Sequence, residues 1–547
     1  MCTGPNILEN RHTQGGVMSV DNDTGYRAGQ HNVKFLGLDV HNPVFIISAA
    51  VIVLFVLATS LAQEGATEFF GWLRPTVTEY FNWLLIIAGN VFVLFCLFLI
   101  VSPYGKIRLG GADAKPDYSY SGWFAMLFAA GMGIGLMFFG VSEPISHYSS
   151  SVADNAGTAE SWAPLAGAAG DQAEAMRLGM AATIFHWGLH PWAIYAVVGL
   201  ALAFFCYNRG LPLTVRSAFY PIFGKAVWGP LGHLIDTLAV FATLFGLATS
   251  LGFGAEQAIA GLNHLFGVPV SATSKVVLIA AITAIALVSV MAGLDAGVKR
   301  LSEINMVLAA LLLLFVIIVG PTVAILTGFF TNLVAYVEYL PALSNFVGRD
   351  DTNFYNGWTA FYWAWWISWS PFVGMFIARV SKGRTVREFV TCVLLVPSLA
   401  CVLWMTAFGG TALSQIVNDG YTAVTEVDLP LKLFAMLEVL PLAAVSSFIG
   451  IVLVIVFFVT SSDSGSLVID TITAGGKLDA PVVQRIFWAV FEGLVAIVLL
   501  LAGGLAALQA AAITTGIPFA VVLLLMCFAL WKGLHQERAK VGALAQT

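Results

Sequence analysis

The chain has 547 residues, of which 59% are hydrophobic and 10% charged. A soluble domain carries about 25% charged residues, so these numbers exclude an ordinary soluble protein and describe a polytopic membrane protein. The net charge of −6 is spread thinly and leaves no basic footprint for nucleic acid, which is excluded as a partner.

Residues 1–40 are polar, rich in Gly and Asn and without an apolar signal-peptide core, and predict a disordered tail. Apolar stretches of roughly 20 residues, the length a membrane helix needs, follow near 43–63, 79–102, 121–147, 176–206, 232–262, 275–294, 303–327, 356–380, 386–410, 441–471, 484–503 and 506–531. The predicted fold class is therefore all-α with twelve transmembrane helices. Residues 330–343 read as a short amphipathic helix on the membrane surface, and 536–547 as a short tail. Six cysteines (Cys2, Cys96, Cys206, Cys392, Cys401 and Cys527) are scattered without a CxxC pair and predict no disulfide framework.

Charge placement supports the layout. Twenty of the 25 basic residues fall in alternate loops, and only Arg74, Arg177, Lys275, Arg349 and Lys432 fall in the others. That asymmetry is a positive-inside pattern, which predicts both termini in the cytoplasm and an even number of spans.

Two spans carry interruptions. Ala129-Ala130-Gly131-Met132-Gly133-Ile134-Gly135 places three glycines at alternate positions, each weakening a helix by about 1 kcal/mol relative to Ala. Gly131 and Gly135 also fit a GxxxG packing seam. Ser368-Trp369-Ser370-Pro371 is the second interruption, five spans later. Paired interruptions in corresponding halves point to an inverted-repeat transporter with its site at the midplane. The repeats would be spans 3–7 (about 119–328) and 8–12 (about 354–531), preceded by two extra helices. Loosened backbone would then hold a cation, and half-helix N-termini would face a carboxylate.

The densest signal is Gly357-Trp-Thr-Ala-Phe-Tyr-Trp-Ala-Trp-Trp366, with six aromatic rings in ten residues. An isolated Trp in such a chain, Trp72 for example, reads as an interface anchor. A cluster running into the membrane suggests a π-lined cavity for a cation without donors, such as a quaternary ammonium. Trp192 and Tyr195 are three residues apart, as are Trp366 and Trp369, so each pair shares a helix face. No spaced His/Asp/Glu cluster or nucleophile motif supports an enzyme. His186 and His190 read as packing residues, and Asp463, Glu256 and Glu492 as intramembrane acids with a functional or helix-packing role.

The run Gly357–Trp366 resembles the signature of the betaine/carnitine/choline transporter family over its full length. Ala129–Gly135 with Glu143-Pro144, the stretch from Phe185 to Trp192, and Phe457-Phe-Val-Thr-Ser461 are similar to further family motifs. The resemblance covers roughly residues 35–535. It implies a bacterial inner-membrane carrier of the five-plus-five inverted-repeat (LeuT-type) fold, usually trimeric and without an enzymatic activity. It implies a substrate site of Trp187, Trp192, Tyr195 and Trp366, with Trp369 near the substrate carboxylate, Trp365 beside the pathway, and Gly131, Met132, Gly133 and Gly135 contributing backbone. Glycine at 135, where choline carriers tend to have Asp, favours a zwitterion such as glycine betaine.

The resemblance further implies a sodium site of Ala129, Met132, Phe457, Thr460 and Ser461, although Thr460 and Ser461 can equally bond within their own helix. A second family sodium site needs two threonines a turn apart. Thr243 is present, but Leu247 stands at the next position. No Lys or Arg lies between Lys225 and Lys275 to replace the ion, so sodium is the expected coupling ion and no cofactor is expected. Proton-coupled choline uptake and carnitine-type exchange are the alternatives. The C-terminal tail holds only Lys532, Arg538 and Lys540, which predicts weak or absent osmosensing through it.

Overall fold

The computed structural model describes residues 25–131, 133–292 and 299–544. The long helices are α1 (Asn42–Leu61), α2 (Gln63–Val101), α3 (Tyr120–Gly131), α4 (Ile134–Val152), α5 (Gln172–Trp187), α6 (Leu189–Tyr207), α7 (Pro230–Phe266), α8 (Ala272–Ala292), α9 (Lys299–Val319), α10 (Thr322–Ser344), α11 (Ala360–Val380), α12 (Val386–Val417), α13 (Ala443–Thr473) and α14 (Val482–Leu544). Among the described residues ten helices are long and apolar enough to cross a membrane, or eleven if α3 and α4 form one bent span. The α5–α6 pair counts there as one, and so does α14. Helix α11 is not among the ten, because Trp, Tyr, Ser and Pro dilute its hydropathy. The fold is thus an all-α polytopic membrane protein, and the described residues of the apolar stretches are mainly helical, with 121–147, 176–206 and 303–327 each divided between two helices.

Burial separates two layers. Helices α5, α6 and α7 are almost wholly enclosed, whereas α1, α2, α8, α9 and α10 turn most of their apolar surface outward. Trp72, Tyr80 and Trp83 on α2 are exposed, as expected of rings at a membrane surface. Helix α11 lies at the centre, packed on α6, α7 and α14.

Three interruptions shape this core. Helix α3 stops at Gly131 and α4 restarts at Ile134 after a 65° bend, with Gly133 extended between them. Helix α5 gives way to α6 at Gly188, where a Cβ would lie 2.8 Å from the Ile184 carbonyl oxygen. The Leu189 N–H freed there donates to the Tyr336 hydroxyl at 3.2 Å. Helix α14 changes direction at Gly503 and Gly504, whose backbone is non-helical.

The expected break at Ser370-Pro371 does not occur: α11 runs unbroken through both residues. Proline removes the N–H that would bond the carbonyl four residues back. Ser370 Oγ donates to that carbonyl, Ile367 O, at 2.7 Å, so the orphaned acceptor is satisfied inside the helix. The irregularity of α11 lies before it, in a wide π turn over Tyr355–Thr359, where Arg74 Nη2 donates to the Gly357 carbonyl at 3.3 Å.

Three boundaries also move. The amphipathic segment expected at 330–343 is the last part of α10, which starts at Thr322 after Gly320-Pro321 breaks the helix. Part of the expected disordered tail is ordered. Strands β1 (Asn32–Phe35) and β2 (Leu38–His41) form an antiparallel hairpin, turning at Leu36 and Gly37 with positive φ. Asp39 pairs with Lys477 at 2.6 Å, and Asn32 Nδ2 donates to the Ala474 carbonyl at 2.9 Å, which anchors the hairpin to the end of α13. Residues 1–24 lie outside the described residues. The expected tail from 536 continues α14 as helix to Leu544, with Glu537 paired to Arg209 at 3.3 Å.

Two measurements check this account. Ser370→Ala leaves the Ile367 carbonyl unpaired, a cost of about 1–3 kcal/mol, and is expected to lower the thermal midpoint in detergent by a few degrees without changing helicity. His41 is buried beside the Arg216 guanidinium, and burial first, then that charge, push its pKa down to about 3. An unfolded histidine titrates near 6.5, so the docked hairpin binds fewer protons than the released one. Docking is fully stabilised above about pH 6.5 and weakens as pH falls below it. Hydrogen exchange over residues 32–41 is expected to accelerate between pH 7.5 and pH 5, beyond its intrinsic pH dependence.

Candidate substrate site

The α3–α4 break, α5, the start of α6 and α11 converge on a small central cavity of about 50 Å³. Trp187, Trp192, Tyr195, Trp365, Trp366 and Trp369 line it, with Ala130, Gly133, Ile134 and Gly135 from the break and Ser250 from α7. The rings meet edge to face or stacked. Trp187 stands at 76° to Trp366 with centroids 4.9 Å apart, and Trp365 stacks on Trp366 at 4.7 Å. Trp192 packs on Tyr195 at 5.3 Å, and Tyr195 on Trp366 at 6.2 Å. Gly135 is required for the approach, since a Cβ there would lie 2.7 Å from the Trp187 ring.

Four of the five indole N–H groups are held by the protein. Trp187 Nε1 donates to Glu143 Oε2 at 2.8 Å, Trp365 Nε1 to Ser250 Oγ at 3.1 Å, Trp366 Nε1 to the His186 carbonyl at 2.9 Å and Trp369 Nε1 to the Gly246 carbonyl at 2.8 Å. With their donors engaged, these four indoles offer the cavity π surface. That surface suits an onium group, which has no proton to donate, and each desolvated cation–π contact is worth about 2 kcal/mol. At the opposite wall, the first N–H groups of α4 have no intrahelical acceptor and carry the positive end of the helix dipole, which suits an anionic group.

A second cavity of about 170 Å³ adjoins the first across Ala130, Gly133 and Trp369. Ala129, Phe457, Thr460 and Ser461 all line it, and it reaches Arg379, on the end of the molecule that gathers the basic loops. Four of the five residues expected of an ion site therefore line one cavity, although Thr460 Oγ1 itself donates to the Val456 carbonyl at 3.0 Å. Gly131 ends α3, and Met132 lies outside the described residues. Thr243 lines neither cavity: its hydroxyl donates to the Ala239 carbonyl at 2.7 Å, and Leu247 packs against Gly465.

The acids fall elsewhere than beside that oxygen set. Asp463 accepts from Ser289 at 2.6 Å and Arg485 at 2.9 Å, Glu492 accepts from Ser462 at 3.1 Å, and Glu256 pairs with Lys275 at 2.6 Å.

Sequence reasoning found no spaced His/Asp/Glu cluster, and the structure corrects this. Glu143, His147 and His186, all fully buried, bring their ligand atoms within 4.8 Å of one another, a spacing that could hold a metal ion. The set is already satisfied by hydrogen bonds. Glu143 Oε1 accepts from His186 Nδ1 at 2.6 Å and His147 Nε2 at 3.1 Å. Oε2 accepts from the Tyr362 hydroxyl at 2.5 Å as well as from Trp187. Glu143 and His147 lie four apart in α4 and so share a face, a signal present in the sequence. The contribution of His186 and Tyr362 appears only in three dimensions.

A bundle of enclosed helices around a π-lined cavity beside a helix break is the architecture of a membrane transporter. The BCCT family model, described as betaine/carnitine/choline family transporter, matches residues 43–539, and the chain belongs to that family. It is 64% identical over 522 residues to a glycine betaine/proline/choline transporter of Vibrio parahaemolyticus, with 94% of each chain covered. It is 56% identical to glycine betaine transporter 1 of the same organism, over 95% of this chain and 98% of that one. The glycine betaine transporter OpuD of Bacillus subtilis is 42% identical over 91% of this chain and 94% of its own. These relatives are transporters, and the protein is a betaine-type transporter of this family rather than an enzyme.

Replacing Trp366, whose ring meets Trp187, Tyr195 and Trp365, tests the box directly. Trp366→Leu is expected to weaken glycine betaine binding at least tenfold with membrane expression unchanged, as read by isothermal titration of purified protein. Near-normal affinity would refute the assignment.

Proposed function

We propose that the protein imports glycine betaine, or a closely similar zwitterionic onium solute, by sodium symport. In this reading it sits in the bacterial inner membrane with both termini in the cytoplasm and assembles as a homotrimer. Counting α3–α4 and α5–α6 as one broken span each, adding α11, splitting α14 at Gly503-Gly504 and leaving α10 on the surface gives twelve spans. They would form five-plus-five inverted repeats after two extra helices. The observation that carries the reading is the π box, four of whose indole donors are engaged, beside the N-terminus of α4. The first accepts a trimethylammonium group and the second a carboxylate.

Sodium would be held by Ala129, Met132, Phe457, Thr460 and Ser461, because carbonyl and hydroxyl oxygens suit a hard cation. One such ion suffices for useful accumulation. A potential of 100 mV supplies about 2.3 kcal/mol per charge, and a tenfold sodium gradient about 1.4 kcal/mol. Together they support a several-hundred-fold gradient of a neutral zwitterion. Choline is a second reading, favoured by the name of the 64% identical Vibrio relative and opposed by Gly135.

Uptake of radiolabelled glycine betaine into proteoliposomes decides between the couplings. The expected result is accumulation above equilibrium with an inward sodium gradient and none with a proton gradient alone. Thr460→Ala is expected to raise the half-saturating sodium concentration at least tenfold. Flux only with a proton gradient, or only with substrate preloaded inside, would overturn the sodium assignment.

A further inference from the structure

An aromatic box can hold an onium group without any acidic residue, yet a carboxylate stands directly behind this one. Glu143 faces away from the cavity and reaches it only through the rings it holds. Its two oxygens accept from four donors on three helices: Trp187, His186, His147 and Tyr362. Through His186 the same hub meets Trp366, whose indole donates to the His186 carbonyl.

The hydrogen-bond pattern is complete with a charged Glu143 and two neutral imidazoles. His147 donates from Nε2 to Glu143, and its Nδ1 is buried with no partner. A protonated imidazole would leave a buried N–H without an acceptor, which is costly, so His147 is neutral. His186 donates from Nδ1 and meets the Thr359 hydroxyl at Nε2, 2.9 Å away. The neutral tautomer lets that hydroxyl donate to Nε2, so the network is complete without a second proton. Tyr362 and Trp187 are neutral donors. With both imidazoles neutral, the cluster carries one net negative charge, enclosed in protein where screening is weak.

We infer that Glu143 is a specificity-determining residue which strengthens the cation–π box from behind, by placing its negative charge on the indole N–H of Trp187. Donation from an indole N–H to a carboxylate moves electron density into the ring, and the ring face is what attracts the cation. The charge also adds a direct attraction in a low-dielectric site. Glu143 acts on the cation of the ligand without touching it, and a neutral ligand of the same shape gains nothing from it. This inference rests on the onium reading of the cavity.

The test compares glycine betaine with 3,3-dimethylbutanoate, which has the same shape and carboxylate but a neutral carbon in place of the nitrogen. Both are titrated into purified full-length protein in detergent. Glu143→Gln is expected to weaken betaine at least tenfold more than the neutral isostere, so that the ratio of the two affinities falls. Glu143→Asp keeps the charge on a shorter arm and is expected to hold that ratio near its original value even where both affinities drop. Should Glu143→Gln not fold, His147→Lys keeps a donor beside Oε1 and neutralises the cluster, and the same selective loss is expected. Equal losses for both ligands would show a purely structural role and overturn the inference while leaving the onium site standing. Absence of betaine binding by the unaltered protein would overturn the onium reading, and the inference with it.

Discussion

A carboxylate buried in the hydrocarbon zone must find donors, because an unpaired charge in such a medium costs several kcal/mol. Glu143 on α4 meets that demand with side chains from its own helix, from α5 and from α11. The same bonds fix the rotamers of Trp187 and Tyr362, and through the backbone of His186 they reach Trp366. The walls of the cavity come from helices that are distant in sequence, and this network ties three of them. Moving one helix relative to the others would break bonds to a buried charge, so the box is held in shape before any ligand arrives. Such preorganisation lowers the ordering cost of binding.

The second constraint is backbone satisfaction. Irregular main chain in a membrane is tolerated only where protein or a cavity covers it, and the breaks obey this. The α3–α4 gap lines both cavities, and the Gly188 gap is closed by the Tyr336 hydroxyl from α10. Proline at 371 shows the opposite case, since a neighbouring serine satisfies the carbonyl it orphans and the helix stays whole. What makes a break is thus the fate of the freed polar groups rather than the presence of a helix-breaking residue.

This explains which parts of the protein were legible in its sequence. Hydropathy and the distribution of Lys and Arg are summed over whole segments and survive local error, so the apolar stretches fall on helices even where a break divides one stretch between two. The aromatic pairs Trp192–Tyr195 and Trp366–Trp369 were readable because a three-residue spacing fixes a shared face. The break at Gly131–Gly133 was readable from three alternating glycines, whereas a single glycine at 188 gave no comparable signal. The hairpin at residues 32–41 was read as disorder because its composition is polar. Its order comes from Asp39, Asn32 and the loop after α13, a partner some 440 residues away in the chain.

By itself the sequence determined the class of protein, the helix inventory, the family and the rings that would line a site, since these depend on composition, period and local motif. Tertiary structure decided that the indole donors of Trp187, Trp365, Trp366 and Trp369 are taken up by the protein. It also decided that Thr460 and Ser461 share a cavity with Ala129 while Thr243 does not, and that Glu143 stands behind Trp187. Those facts are contacts between helices, and no local preference encodes them. A hydrogen bond of 2.8 Å between residues 143 and 187 exists only once α4 and α5 have packed, because only packing excludes the water that would otherwise satisfy both groups.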